Sequence, residues 1–494
     1  MMKRVVFVCL FLGMALLSAG KGKSVKSADY VVVANEEVMK DAGWKQVVDA
    51  LLSKHKGAVV CTYKESPREA MAVLRENMPR YVAVVEKPEN IGKDYVYDMN
   101  RMSREVDDDI YADFMYGIIT GYDAGAALRM VDDSREPMVI SSALATIKEL
   151  KSGKWFDAFA YVSDETMGVC GEKEAGADSV TEGLVPYMDV TVAGKPSRAW
   201  SLLDGFTNFY KKYDPDLIVT ASHATENNLE VPFSAGNIKA KDGRLYADNR
   251  VPDYLSTPEH PRVYLPIGNC LIGSVNNTKN SMAIAWMNSG RASAMIGYVV
   301  PTWYGRAGWG GLKYWLTTPG RYTLSEAFFL NQQDMLCQIS EWGAGLEKKA
   351  YQNNPNVRED MADVLKGDPT MDQVGFFHDR DVLAIYGDPA WDVRLKELPG
   401  ETDFTVKSEV KGKKCVITVV TKPNFSPERM AGSHFKEEHV KDLPFSYFFP
   451  QKLNNPRLAE GQPWKVATDE NFLLVYEPDF KPGQTYQIVL DVDK

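Results

Sequence analysis

Between residues 30 and 85 three apolar runs alternate with two stretches of helical spacing, and few folds accept that order. Residues 30–34 (Tyr-Val-Val-Val-Ala) are a β-branched run, and residues 38–54 repeat apolar side chains at helical spacing through Val38, Trp44, Val47, Val48, Leu51 and Leu52. Gly57 ends that helix, and residues 58–63 read as a second buried strand. Pro67 opens another helix through Met71, Val73, Leu74 and Met78, and residues 81–85 are the third strand. Strand, helix, strand, helix, strand implies a parallel sheet with helices on its faces. The rhythm resumes with a helix at 200–213, strands at 217–221 and 263–267, a helix at 281–288 and a strand at 294–300. From about residue 400 it changes to five short alternating runs at 404–410, 415–420, 445–449, 472–476 and 486–492, with no helical stretch between them. Those runs suggest a small β-sandwich, set off by Pro399-Gly400.

A chain of 494 residues, 45% hydrophobic and 25% charged, has globular composition and room for two or three domains. Its formal charge of -10 comes without a local basic stripe, which argues against a nucleic-acid partner. Residues 1–20 read as a secretion signal: Lys3 and Arg4, an apolar run over 5–17, then Ser18-Ala19-Gly20. The apolar run is shorter than the ~20 residues of a spanning helix. The expectation is an exported protein, secreted, periplasmic or held at the cell surface, with no membrane span in the mature chain. Five cysteines remain after residue 20, namely Cys61, Cys170, Cys270, Cys337 and Cys415. An odd count in an oxidising compartment leaves at least one thiol unpaired.

Ligands of open α/β sheets bind beyond the carboxyl ends of the strands. Two strands finish there with a reactive side chain. Residues 217–221 run into Ser222-His223-Ala224-Thr225, and residues 263–267 run into Gly268-Asn269-Cys270. If the strands are neighbours, His223 and Cys270 emerge together, since adjoining strands lie only ~5 Å apart. An imidazole beside a thiol takes its proton during attack, and the N–H groups of Ala224 and Cys270 can receive a developing oxyanion. Gly268 allows a tight turn, and Gly273 and Ser274 keep the surroundings of the thiol open. Each residue alone has an ordinary alternative, a satisfied core histidine or a strand-end core cysteine. The sequence holds no G-x-x-x-x-G-K-[ST], no H-E-x-x-H and no Cys/His pairs spaced for zinc, and residues 305–311 are glycine-rich at the wrong spacing for a dinucleotide.

A strand ending in His, then a strand ending in Cys, then a helix and a strand ending in small residues resembles the caspase-like cysteine peptidases, and among them the gingipain family. Tyr81-Val82-Ala83-Val84-Val85 resembles the strand before their acidic segment. Asp107-Asp108-Asp109-Ile110-Tyr111-Ala112-Asp113, followed by Gly117, resembles their Asp-x-x-Tyr segment, and Tyr386-Gly387-Asp388-Pro389-Ala390 resembles the stretch that closes their catalytic unit. The resemblance implies an α/β fold with a caspase-like, mostly parallel sheet flanked by helices, and a C-terminal immunoglobulin-like β-sandwich. The organisation expected is signal peptide 1–20, N-terminal α/β subdomain 21–150, catalytic subdomain 151–398 and β-sandwich 399–494. It further implies that His223 is the general base or acid and Cys270 the nucleophile of a peptidase acting on protein or peptide substrates. The sequence departs from the family at His223-Ala224, where His-Gly is usual. A polar insertion over 237–261 is long enough to cover the cleft.

Substrate-binding candidates are Trp303 and Tyr304, which follow the strand after Cys270, together with Glu226, Asp164 and Glu165, unranked, as the carboxylates that a basic side chain before the cut would need. The sequence leaves Arg, Lys and a neutral residue equally open there. A thiol–imidazole mechanism needs no cofactor. Asp107, Asp108 and Asp109 are three successive oxygen donors of the kind Ca²⁺ takes, although a solvated acidic turn has the same composition. Residues 445–449 (Phe-Ser-Tyr-Phe-Phe) read either as a core strand or as a carbohydrate- or partner-binding surface. Two other functions share this sequence pattern: a binding or scaffold protein that keeps the fold without hydrolysis, and a ligase-like enzyme that transfers the acyl group.

Overall fold

The computed structural model of the protein describes residues 28–192, 194–249, 253–342, 370–398, 400, 403–435 and 440–493. The expected signal segment 1–20 lies outside them. The N-terminal alternation folds as β1 (Tyr30–Asn35), β2 (Val59–Tyr63), β3 (Tyr81–Val85) and β4 (Met115–Ile119). The next strands are β5 (Ser142–Ala145), β6 (Ala158–Val162), β7 (Val169–Lys173), β8 (Thr181–Leu184) and β9 (Leu217–Ser222). β10 (Arg262–Asn269), β11 (Ala292–Tyr298) and β12 (Leu383–Tyr386) complete one twelve-stranded sheet in the order β2-β1-β3-β4-β12-β11-β10-β9-β5-β6-β7-β8.

The sheet is mostly parallel: β2, β1, β3 and β4 pair in parallel, as do β11, β10, β9, β5 and β6. β12 joins β11 antiparallel, and β7 and β8 extend the far edge antiparallel. Helices cover both faces and produce two apolar cores, one around Val32, Val84, Trp286 and Tyr264, the other around Leu265, Ile267, Trp315 and Phe328. The two expected subdomains therefore share one sheet. β5, before residue 150, sits between β9 and β6 of the second half.

Three local expectations are corrected. Residues 38–54 do not form one helix: Asp41 accepts the N–H groups of Gly43 and Trp44, so a new helix, Ala42–Lys54, starts beside Glu36–Lys40. β2 is not buried but is an edge strand with alternating exposure, Val60 being 41% exposed. The insertion at 237–261 does not cover the cleft. With Asn228–Glu230 it forms a small antiparallel sheet of Asn237–Lys241, Arg244–Ala247 and Asp253–Tyr254, which buries Ile238 and Leu245 and is tied to the end of helix Met282–Asn288 by the Leu245 N–H on Ser289.

The tail contains all five expected strands and two further ones, and, against the expectation of no helix between them, a single helical turn at Pro427–Met430, capped by Ser426 on the Arg429 N–H. Phe404–Lys411, Lys414–Thr421, Thr485–Asp491 and Arg457–Leu458 form one sheet; Phe445–Phe448, Phe472–Tyr476 and Lys465–Asp469 form the other. Cys415, Ile417, Leu473 and Ile488 fill the space they share. The outer face of the three-stranded sheet packs on helix Leu324–Trp342, where Phe329 meets Phe448 and Phe472 edge-on at 6.0 and 6.2 Å between ring centroids. Phe-Ser-Tyr-Phe-Phe at 445–449 is buried and offers no aromatic platform.

Candidate active site

β9 and β10 are neighbours, and their register carries Ser222 opposite Asn269. His223 and Cys270 are the next residue on each chain. They leave the same rim of the sheet one step beyond a paired position, His223 exposed and Cys270 half-buried. Asn269 itself is wholly buried and ties the two strand ends together. Its Nδ2 donates to the Ser222 carbonyl at 2.9 Å and to Ser222 Oγ at 3.1 Å, while its Oδ1 accepts from Thr220 Oγ1 at 2.5 Å. Residues adjoining both reactive groups thus belong to one hydrogen-bonded unit. The sequence placed Asn269 beside the thiol but gave no sign that it reaches across to the histidine strand.

Gly268 does not make the expected turn. It lies in β10 opposite Ala221, and a Cβ there would stand 2.4 Å from Ala221 Cβ, so its role is close approach of the strands. The turn falls at Leu271, whose φ of 61° is left-handed. Gly273 is likewise packed tight, not open: a Cβ would stand 2.2 Å from the Gly297 carbonyl oxygen of β11.

Cys270 Sγ accepts the Thr302 N–H at 3.3 Å, and Thr302 Oγ1 donates to the Asn269 carbonyl at 2.9 Å, so the segment after β11 holds the thiol at its strand end. All five cysteines from residue 28 onward are free. Burial pushes the thiols of Cys61, Cys170, Cys337 and Cys415 up, which weakens them as nucleophiles at neutral pH. The His223 ring has no hydrogen-bond partner among the described residues. The segment after it folds back as a hairpin in which Ala224 faces Leu229, with Thr225 donating to the Asn228 carbonyl and Glu230 to the His223 carbonyl. In that kind of antiparallel pair the facing residues keep their own N–H groups turned outward, which leaves the Ala224 N–H for another acceptor. Ala224 is not among the residues of positive φ, so alanine here escapes the left-handed strain that would demand glycine.

Leu271, the residue after Cys270, lines a cleft of ≈ 620 Å³ whose walls include neither Cys270 nor His223 themselves. Its walls follow the carboxyl ends of several strands: Glu65 after β2, Asn90 after β3, Glu226 after β9, Leu271 after β10 and Val299 after β11. Helix Lys93–Met102 adds Lys93, Asp94 and Asp98. Four carboxylates against one ammonium make the lining acidic. Arg68 answers Asp98 at 3.4 Å and Lys64 answers Glu65 at 3.8 Å, which leaves Asp94 and Glu226 uncompensated among the described residues. Glu226 is thus a wall of the cleft, while Glu65, Asp94 and Asp98 lie too far away along the chain for spacing to reveal them.

The other candidates are scattered. Trp303 is 48% exposed next to Thr302, with its ring edge-on to His378, but Tyr304 is buried and donates its hydroxyl to Asp372 at 2.6 Å, so it cannot wall an open pocket. Asp164 and Glu165 follow β6, two strands from His223, and Glu165 is paired with Lys151. Asp107 and Asp109 lie near the tail, together with Asp469, and Asp108 is not part of that group.

No family model matches the chain, and no curated protein matches it either. Among solved structures it is similar to the Arg-specific cysteine proteinase gingipain R, with TM-score 0.42 and 10% identity over 96% of this chain and 93% of that one. It is similar also to the complex of Porphyromonas gingivalis RgpB pro- and mature domains, with TM-score 0.39 and 10% identity over 94% and 93%. A third structure, described only as that of a protease, gives TM-score 0.38 and 8% identity over 94% and 96%. Likeness this loose adds no weight to an activity, which has to stand on the strand ends and side chains described above.

Proposed function

We propose that this chain is an exported cysteine peptidase that uses His223 and Cys270. The observation that carries the reading is the Ser222–Asn269 register, which sends a free thiol and an imidazole without a hydrogen-bond partner among the described residues off adjoining strand ends, with Leu271 and Glu226 leading from them into an open cleft. His223 takes the proton of Cys270 as sulfur bonds to the scissile carbonyl carbon. The oxyanion that forms accepts the N–H groups of Ala224 and Cys270. The carbon–nitrogen bond then breaks, the imidazolium protonates the departing amine, and water, deprotonated by the same imidazole, hydrolyses the thioester. The acidic lining suits a substrate with a basic side chain beside the cut, with Glu226 and Asp94 as the carboxylates free to meet it.

The test is digestion of a mixed peptide library by the wild type and by Cys270→Ala. Cleavage is expected from the first alone, with cuts concentrated next to Arg or Lys. Identical digests would sink the peptidase reading and favour a scaffold. Joined peptides in place of cut ones would favour acyl transfer.

A further inference from the structure

Where the tail meets the α/β unit, carboxylates gather, and Asp107, Asp109, Asp113 and Asp469 form no ion pair among the described residues. Asp107 and Asp109, on the loop before β4, and Asp469, at the end of strand Lys465–Asp469, bring carboxylate oxygens within 4.8 Å of one another. Asp469 is 7% exposed, and one of its oxygens has no hydrogen-bond partner. Behind it Asp113, 1% exposed, accepts the Val106 N–H through Oδ2 and leaves Oδ1 unpartnered. Asn471 is wholly buried, donates Nδ2 to the Asp113 carbonyl at 3.0 Å and leaves its own Oδ1 unpartnered. The charges acting most on Asp109, Asp113 and Asp469 are other carboxylates, namely Asp107, Glu470 and one another. Lys452, which pairs with Glu470, also donates to the Met78 carbonyl.

Buried carboxylates without a counter-charge are strongly unfavourable, and oxygen-only donors from two parts of a chain suit a hard divalent cation. Ca²⁺ holds six to eight oxygens at about 2.3–2.6 Å, so opposite ligands of its shell stand roughly 4.6–5.2 Å apart, the span over which these three carboxylates are gathered. Mg²⁺ wants a smaller, rigid octahedron and retains its waters.

We propose that Asp107, Asp109 and Asp469 form a Ca²⁺ site that fastens the 106–113 loop to the β-rich tail, with the unpartnered oxygens of Asp113 and Asn471 beside it. Asp108 is exposed and takes no part, so the ligands are alternate residues of the acidic run completed by one 360 positions later. The site stands apart from His223 and Cys270 and holds whether or not the chain cuts peptides.

The experiment is thermal unfolding of the chelator-stripped full chain, with CaCl₂, MgCl₂ or EDTA at about 5 mM. Calcium is expected to raise Tm by at least ~3 °C over EDTA, and magnesium by less. Asp469→Asn should lose the calcium response and, in EDTA, melt no lower than the wild type, because it removes an uncompensated charge. Should that variant fail to fold, Asp109→Asn, at an exposed position, gives the same comparison. Tb³⁺ added to the wild type should luminesce through nearby Tyr111 and be displaced by excess Ca²⁺. A wild type with the same Tm in calcium and EDTA, or a variant with the wild-type calcium shift, overturns the proposal.

Discussion

At the scale of single residues, the spacing of His223 and Cys270 depends on the two residues before them. Asn269→Ala leaves the Ser222 carbonyl and Thr220 hydroxyl without their buried partner, at a cost of about 1–3 kcal/mol. It should lower kcat roughly 10- to 100-fold with KM little changed, as expected when binding survives and geometry is lost. Alkylation of Cys270 by iodoacetamide, fastest of the thiols in the wild type, should slow in parallel, an effect that simple loss of stability would not produce. Gly268→Ala drives a methyl group into Ala221 and should destabilise the protein by about 1–3 kcal/mol, seen as a lower denaturant midpoint. The placement of His223 and Cys270 at strand ends could be read from sequence because each follows a continuous apolar strand. The bridging role of Asn269 could not, because it depends on a register between strands that lie more than forty residues apart.

Among the elements, β12 is pinned where it leaves the sheet. Asp388, its side chain fully buried, accepts from Tyr30 Oη at 3.0 Å and Lys54 Nζ at 2.8 Å, and meets His55 Nε2 at 2.7 Å. Burial alone would raise its carboxyl, but the His55 hydrogen bond and the Lys54 charge outweigh it and hold the group at about 2. A carboxyl lowered on folding stabilises the fold above its unfolded value, near 3.9, and loses that contribution as pH falls toward 2. Stability measured by denaturant should therefore drop between about pH 4 and 2, and Asp388→Asn should flatten that drop while costing about 3–5 kcal/mol at neutral pH. Six of the twelve sheet strands, β1, β2, β3, β9, β10 and β11, were legible as continuous apolar, mostly β-branched runs, whereas β4 to β8 and β12 were not read from the sequence. The break at Asp41 was not, since its capping oxygen competes with an otherwise unbroken helical spacing. β12 was invisible because a four-residue strand carries no period of its own.

For the molecule as a whole, the charge of -10 is unevenly useful. Acidic residues concentrated in the cleft attract cationic peptides through a field that salt screens over ~8–10 Å. Raising NaCl from about 0.05 to 0.5 M should increase KM for Arg- or Lys-containing peptides severalfold and leave neutral ones nearly unaffected. Glu226→Gln should reproduce part of that increase at low salt. Composition announced the sign of this field but not its location, because the carboxylates reach one cleft from sequence positions 65 to 226.

Helix Leu324–Trp342 lies under the three-stranded sheet, so Phe329 and Phe472 are shielded by each other's parent module. A chain truncated near residue 398 would bare that aromatic seam to water and should aggregate instead of yielding a smaller folded unit. By the same token the intact protein should melt in a single calorimetric peak, its halves lost together.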